Sequence, residues 1–296
     1  MKPAAFAYLA PRGVEEAVDQ LATHGAEARV LAGGQSLVRL MNTRMATPSV
    51  LVDINRIAEL DQLDSDGDAI RIGATVRQRG CELARLVRDH LPLLAEAGAQ
   101  VAHTAIRQRG TVVGSIAFAD PSAELPAALL ALDGQVVVRG QRGERLIDAE
   151  DFFVGPFANS LEPDELAIAL RIPRTPAGRT GSAFLEVSRR QGDLPVCGVG
   201  AIVQLDGNDA VALARIALCG VHQRPIRVHD AEAALLGGEP TDEQLEQAAH
   251  LAATAADPID DCHGSANFRR HLARVLTRRA LLTALDRARR EDRADA

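Results

Sequence analysis

The chain has 296 residues, 47% of them hydrophobic but only 3% aromatic, and a formal net charge of −7 at a pI near 5.6. That length admits one large or two moderate domains, with cores built from Ala, Leu, Val and Ile. The acidic balance argues against a nucleic-acid surface, which needs a basic face, and no run reaches the roughly 18 apolar residues that span a bilayer.

Met1 to Ala10 carries one Lys and no long apolar region, so no signal peptide is expected. Cys81, Cys197, Cys219 and Cys262 are widely spaced and form no C-x-x-C pair. They support neither an iron–sulfur cluster nor a zinc site. Reduced, buried thiols in a cytoplasmic protein are the expectation.

Val14, Val18 and Leu21 predict a helix over 12–24, leading to a short strand, Ala28 to Leu31. Next comes Leu31-Ala32-Gly33-Gly34-Gln35-Ser36-Leu37. Two adjacent glycines after a strand let the backbone approach a ligand closely, and successive N–H groups there form an anion nest. Ser36 adds a hydroxyl donor. The stretch reads as a phosphate cradle or as a plain Gly-Gly turn. Val38 to Met41 begins a helix or an ordered loop. Val50 to Ile54 is a buried strand that closes a first lobe, residues 1–56.

The acidic residues 64–68 predict a turn; with no closing Glu at the twelfth position they do not make a calcium loop. A strand over 69–76 and helices over 77–89 and 92–102 follow. His103 stands just before Ile106-Arg107-Gln108-Arg109-Gly110-Thr111-Val112-Val113-Gly114-Ser115, a second stretch ending in glycine and a hydroxyl. Arg107 and Arg109 are placed in sequence to screen an anion. Two such turns could grip one ligand from two sides. Pro121 to Leu132 is helical in pattern, with Glu124 in the favoured first turn. Strands are expected at 135–138 and 166–172, flanking a Phe-rich loop at 152–156. Residues 173–181 are the linker candidate.

Beyond it, Ala183 to Pro195 runs from a strand into a Gly192-Asp193 turn. Strands at 198–205 and 212–219 complete an antiparallel sheet. Helices are expected at 230–236, 242–254 and 265–290, with Thr241 and Ser265 as N-caps. Asp260-Asp261-Cys262-His263 gathers four potential ligands, but adjacent side chains rarely aim at one metal. Arg269-Arg270 and Arg278-Arg279 read as a solvated helix face or a subunit contact.

Ala32-Gly33-Gly34-Gln35-Ser36-Leu37, the stretch Ile106 to Ser115, and Ala119-Asp120-Pro121-Ser122-Ala123-Glu124-Leu125-Pro126 together resemble the FAD-binding medium subunits of the molybdenum hydroxylases. That family includes the flavoproteins of carbon monoxide dehydrogenase and xanthine dehydrogenase. The resemblance covers nearly the whole chain. It implies an α+β fold: a two-lobed FAD-binding domain of the vanillyl-alcohol-oxidase type (lobes 1–56 and 57–175), then a smaller C-terminal domain (180–290) of antiparallel sheet plus helices. It implies FAD held by Leu31, Ala32, Gly33, Gly34, Gln35, Ser36 and Leu37 and by Ile106, Arg107, Gly110, Thr111, Val112, Val113, Gly114 and Ser115. Asp120 and Glu124 would bond ribose hydroxyls, for which a carboxylate is a natural acceptor. Asp193 and Leu194 would lie near the isoalloxazine ring.

Departures from the family's pattern stand at Val113, Leu194 and Pro195, the last where Ala is common. Val113 replaces a usual Gly; a β-branched residue tolerates positive φ poorly, so an extended φ or weaker flavin binding is expected, and Val113→Gly should be tolerated or improve affinity. Leu194 replaces a usual aromatic, giving aliphatic shielding. The resemblance further implies a molybdopterin-binding large subunit and a small subunit with [2Fe–2S] clusters, in a heterotrimer or its dimer. Electrons would leave through the flavin to an external acceptor; the flavin carries the chemistry, and no catalytic side chain is required. A free-standing FAD oxidoreductase of the vanillyl-alcohol-oxidase type and a non-enzymatic nucleotide-binding module remain alternatives. The first needs a base near the flavin, and the second leaves the second glycine stretch unexplained.

Overall fold

Val14, Ala17, Val18 and Leu21 recur at i, i+3, i+4 and i+7. In the computed structural model, which describes residues 2–294 and side chains as far as Arg290, all four are buried on one face of the helix Val14–His24. Met1, where the first lobe is expected to begin, lies outside the described residues. The lobe's sheet has three parallel strands in the order Ala7–Leu9, Val50–Asp53, Ala28–Leu31. Val50–Asp53 lies in the middle and is buried along its length. Leu31 pairs with Asp53, so the Gly33-Gly34 turn leaves the edge strand Ala28–Leu31 beside the C-terminal end of the central strand.

The second lobe is a five-stranded antiparallel sheet in the order Leu63–Asp66, Ala69–Gly73, Leu166–Pro173, Gln135–Gly140, Gly143–Asp148. The acidic stretch 64–68 is half strand, half turn. The strand expected over 69–76 stops at Gly73; beyond it Arg77 bridges Thr111, and the carbonyl of Val76 accepts the N–H of Val112 at 3.2 Å. The helix expected over 77–89 is two helices, Gln78–Leu83 and Arg85–His90, broken where Ala84 takes an extended ψ of 128°. The next helix, Pro92–Gln100, ends short of Ala102, which adopts φ 43°. The Phe-rich segment is ordered: Phe152 ends a short helix, Phe153 opens a strand, and their fully buried rings meet edge to face at 5.3 Å.

Residues 174–179 lead to the third unit, a four-stranded antiparallel sheet of Thr180–Val187, Cys197–Leu205, Val211–Cys219 and Ile226–Arg227 in that order. Strand periodicity divides its side chains between two cores. Phe184, Ile202, Ala217 and Cys219 join Leu93, Leu125 and Leu129 of the second lobe. Ala183, Val199, Ala201 and Val203 pack with Leu245, Ala248, Leu276, Ala280 and Ala284 of the helices Asp242–Ala255 and Ala266–Ala294. Because both faces are covered, the central strands are apolar almost throughout. Thr241 and Gln244 form a reciprocal capping box at the start of the first of these helices. Ser265 accepts the N–H of Phe268 at 3.2 Å, as an N-cap does. Arg269 departs from the expected solvated face: it is 6% exposed and donates to the carbonyls of Val196 (2.7 Å) and Gly220 (2.6 Å) and to Asp261 (2.7 Å). Among the described residues no helix is long and apolar enough to cross a membrane.

Candidate functional site

The two glycine stretches pack back to back. A Cβ built on Gly33 would lie 2.5 Å from the carbonyl oxygen of Arg109, 2.7 Å from Cα of Gly110 and 3.0 Å from the nitrogen of Thr111. Backbone therefore touches backbone at Gly33, which only a residue without a side chain permits. Gly34, with φ 72°, turns the chain into the short helix Leu37–Asn42. Gln35 folds over the turn, its amide donating to the carbonyl of Gly33 at 3.0 Å. Among the described residues no acceptor pairs with the N–H groups of Gly33, Gly34, Gln35 or Ser36, nor with that of Thr111. Residues 31–37 are all half-buried. A run of unpaired N–H groups beside a glycine-only contact is the donor set an anionic pyrophosphate requires. This donor set suits the diphosphate of a dinucleotide.

The second stretch contributes mainly backbone. Ile106 lies in the helix Thr104–Arg107, and its carbonyl accepts the N–H of Gly110 at 2.8 Å. Thr111 caps the helix Val112–Phe118, its hydroxyl accepting the N–H of Gly114 at 3.1 Å. Ser115 is half-buried within that helix. Val112 and Val113 point into the core at 1% and 2% exposure, and the N–H of Val112 is already bonded to Val76.

Val113 is thus helical, neither extended nor at positive φ, and its side chain fills space. This reverses the expectation for its replacement. Val113→Gly is expected to destabilise the chain by about 3 kcal/mol, from the lost burial, the cavity and the glycine in a helix. Chemical denaturation of the variant checks this.

Arg107 is not available as a phosphate screen. It is 7% exposed, paired with Glu82 at 3.0 Å, and donates to the carbonyls of Val101 and Ala102 at 2.8 and 3.0 Å. Its pattern of apolar and small neighbours buries it, and burial demands a carboxylate partner. The side chain of Arg109 is exposed, while its carbonyl takes part in the turn contact.

Asp120 sits in a turn, accepting the N–H of Ser122 at 2.9 Å, so the helix begins at Glu124 and not near Pro121. Burial raises the pKa of both carboxyls, that of Glu124 to about 8, with Glu186 and Asp120 adding to the effect on Glu124. Glu186, on the first strand of the C-terminal sheet, is raised to about 7 by burial, and its Oε2 is buried with no partner among the described residues. These carboxyls stand where the two domains meet: the N–H of Gly220 donates to the carbonyl of Pro121 at 2.9 Å.

Kept neutral, Glu124 repels an anionic cofactor less and can donate a hydrogen bond. Its burial also sets a pH dependence. Between its ordinary 4.5 and about 8, the folded chain holds a proton that the unfolded chain has released. Stability of the flavin-free chain is therefore expected to fall as pH rises through that window. Glu124→Gln should flatten the decline, which thermal midpoints measured across the window will show.

The Gly192-Asp193 turn reaches the second lobe. A Cβ on Gly192 would lie 2.6 Å from Cε1 of His103, just upstream of the second glycine stretch. Asp193 and Leu194 are exposed at its tip, Leu194 by 55%. Asp261, in the candidate ligand cluster 260–263, is spent on the N–H groups of His263 and Gly264 and on Arg269.

Three further residues organise the site. Asn55 donates to the carbonyl of Ala32 at 2.9 Å; Arg77 donates to the carbonyl of Arg109 at 2.8 Å and to Asn55 at 2.6 Å; the N–H of Gln78 bonds the carbonyl of Gly110 at 2.8 Å. Asn55, after a buried strand, carried a turn signal, but no local pattern marks Arg77 or Gln78.

An α+β domain in which two glycine turns join over a set of free N–H groups has the donor arrangement that suits a dinucleotide cofactor. Comparison with known proteins names its kind. The family described as the FAD binding domain in molybdopterin dehydrogenase matches residues 4–175, and the CO dehydrogenase flavoprotein C-terminal domain matches residues 182–284. The chain is 42% identical over 289 residues to the 6-hydroxypseudooxynicotine dehydrogenase complex subunit alpha of Paenarthrobacter nicotinovorans, covering 98% of this chain and 97% of that one. It is 39% identical over 289 residues to the caffeine dehydrogenase subunit beta of Pseudomonas sp. (strain CBB1), covering 97% of each. Among solved structures, carbon monoxide dehydrogenase from Hydrogenophaga pseudoflava superposes with a TM-score of 0.95 at 38% identity, over 97% of this chain and 99% of that one. The chain belongs to the FAD-binding medium subunits of the molybdenum hydroxylases, and is a flavoprotein subunit of a multi-subunit oxidoreductase.

Proposed function

We propose that this chain is the electron-exit subunit of its complex. FAD bound across the two turns would take electrons from [2Fe–2S] clusters on a small partner subunit and pass them to an external acceptor, the substrate being oxidised at a molybdopterin-binding large subunit. The observation that carries this reading is the contact of Gly33 with Arg109–Thr111, which makes one cradle from two distant stretches.

In this reading the N–H groups of Gly33 to Ser36 and of Thr111 hold the pyrophosphate. Leu31, Ala32, Leu37, Ile106, Gly110, Val112, Val113, Gly114 and Ser115 shape the cleft through their backbone. Asp120 and Glu124 bond ribose hydroxyls, and Asp193 and Leu194 border the ring. The lobes 1–56 and 57–175 close on the cofactor, and 180–290 covers it. The assembly is a cytoplasmic heterotrimer or its dimer.

The visible absorption spectrum of the native protein with whatever co-purifies tests this. About one FAD per chain with added iron–sulfur absorption supports it. Flavin without partners, and turnover of a substrate by the chain alone, would favour a free-standing oxidoreductase. A folded chain that takes up no FAD would end the reading.

A further inference from the structure

Resting on the FAD reading, we propose that Arg77 is the cofactor-positioning residue of the cleft: one guanidinium locks the two glycine turns together and supplies the fixed positive charge beside the diphosphate.

Arg77 follows the inner strand Ala69–Gly73 and stands at the start of the helix Gln78–Leu83. Its Nη1 donates to the carbonyl of Arg109 at 2.8 Å. That oxygen is the atom nearest the α-carbon side of Gly33, where the turns touch. Its Nη2 donates to Oδ1 of Asn55 at 2.6 Å, and Nδ2 of Asn55 donates to the carbonyl of Ala32 at 2.9 Å, the residue before Gly33. The same Asn55 amide also reaches Oδ1 of Asp53 at 2.5 Å, and the Tyr8 hydroxyl donates to Oδ2 of Asp53, also at 2.5 Å. One polar chain therefore crosses both lobes and grips the carbonyls on either side of the Gly33 contact.

Among the described residues no carboxylate pairs with Arg77, whereas Arg107 is neutralised by Glu82. Arg77 is half-buried and held by two hydrogen bonds at the contact between the turns, so its charge is fixed in place there. A planar fork that binds two acceptors leaves its remaining N–H groups pre-aimed, which a lysine cannot reproduce. In a chain of net charge −7, this is the local cation a diphosphate needs.

FAD titration of the flavin-free full-length chain, read by flavin fluorescence at low and high salt, tests the proposal. Arg77→Gln is expected to weaken FAD binding by about 10- to 100-fold, the loss of one charged hydrogen-bonding group. Its salt dependence should become shallower than that of the wild type, because one charge–charge attraction is gone. Arg77→Lys should keep the wild-type salt dependence with intermediate affinity, since the charge remains and the bridge is lost.

Circular dichroism and the thermal midpoint establish that each variant is folded. A folded Arg77→Gln chain with affinity within about threefold of wild type, or with lost affinity but an unchanged salt dependence, overturns the proposal. Should Arg77→Gln not fold, Arg77→Lys decides: affinity equal to wild type shows that the bridge is not needed. Wild-type protein that binds no FAD overturns the functional reading itself, so the two failures are distinct.

Discussion

Gly33→Val is expected to yield a folded chain that retains no FAD. The clash it introduces is with backbone: the Arg109 carbonyl, Gly110 Cα and the Thr111 nitrogen, all within 3.0 Å of the new Cβ. No side chain can rotate aside to relieve it, so the turns must separate. Separation would pull the N–H groups of Gly33 to Ser36 away from that of Thr111 and divide the cradle. The cause is therefore not a valine filling the diphosphate space, as the sequence suggests, but a wedge between the two halves of the site. Affinity should fall by more than about 100-fold, since several charge-directed hydrogen bonds are lost together. Gly34→Ala should be milder, costing about 1–2 kcal/mol for a Cβ at φ 72°, where the neighbours are the flexible side chains of Val38 and Leu31. The flavin absorbance of each purified variant, and its FAD titration, measure both effects. Stoichiometric FAD in well-folded Gly33→Val protein would sink the two-turn cradle.

Arg269→Ala is expected to destabilise the chain by about 3–5 kcal/mol, because it strands buried partners of a buried charge. The guanidinium serves the carbonyls of Val196 and Gly220 and the Asp261 carboxylate, and neither carbonyl can reach water in its place. The effect should reach beyond the C-terminal helix. Gly220 also donates its N–H to Pro121, between Asp120 and Glu124, so loosening its carbonyl loosens the seam between the domains. A lower denaturation midpoint, with Arg269→Lys recovering only part of the loss, is the expected outcome. A loss below about 1 kcal/mol would mean that water replaces the guanidinium.

Much of the fold is local and could be read from the residues. Val14, Val18 and Leu21 set the first helix, Thr241 capped its helix as expected, and the two central strands of the C-terminal sheet lie within a residue of their expected bounds, whereas the first starts three residues early and Ile226–Arg227 was not expected. The strand Gly143–Asp148 was not legible, because five of its six residues are exposed and its apolar residues, Leu146 and Ile147, are adjacent and do not alternate. Ala84 breaks a helix that its own propensity favours, so packing decided the break. The two glycine stretches were legible as motifs because a glycine pair after a strand is a short-range signal.

Their partnership was not legible in chemistry alone. Residues 33 and 110 lie far apart in the chain, and only the docking of the two lobes brings Gly33 onto the Arg109–Thr111 backbone. The same docking sorted the arginines. By sequence, Arg107 and Arg109 flank the motif; in the fold, Glu82 claims Arg107, and Arg77 arrives from the start of the helix Gln78–Leu83 to join the turns. The sequence by itself determined which segments form helices and strands and which backbone positions are free of side chains, since periodicity and glycine act over a few residues. Only the tertiary structure decided which charges are buried and paired and which remain open to the cleft, because burial and pairing depend on neighbours that the chain supplies from elsewhere.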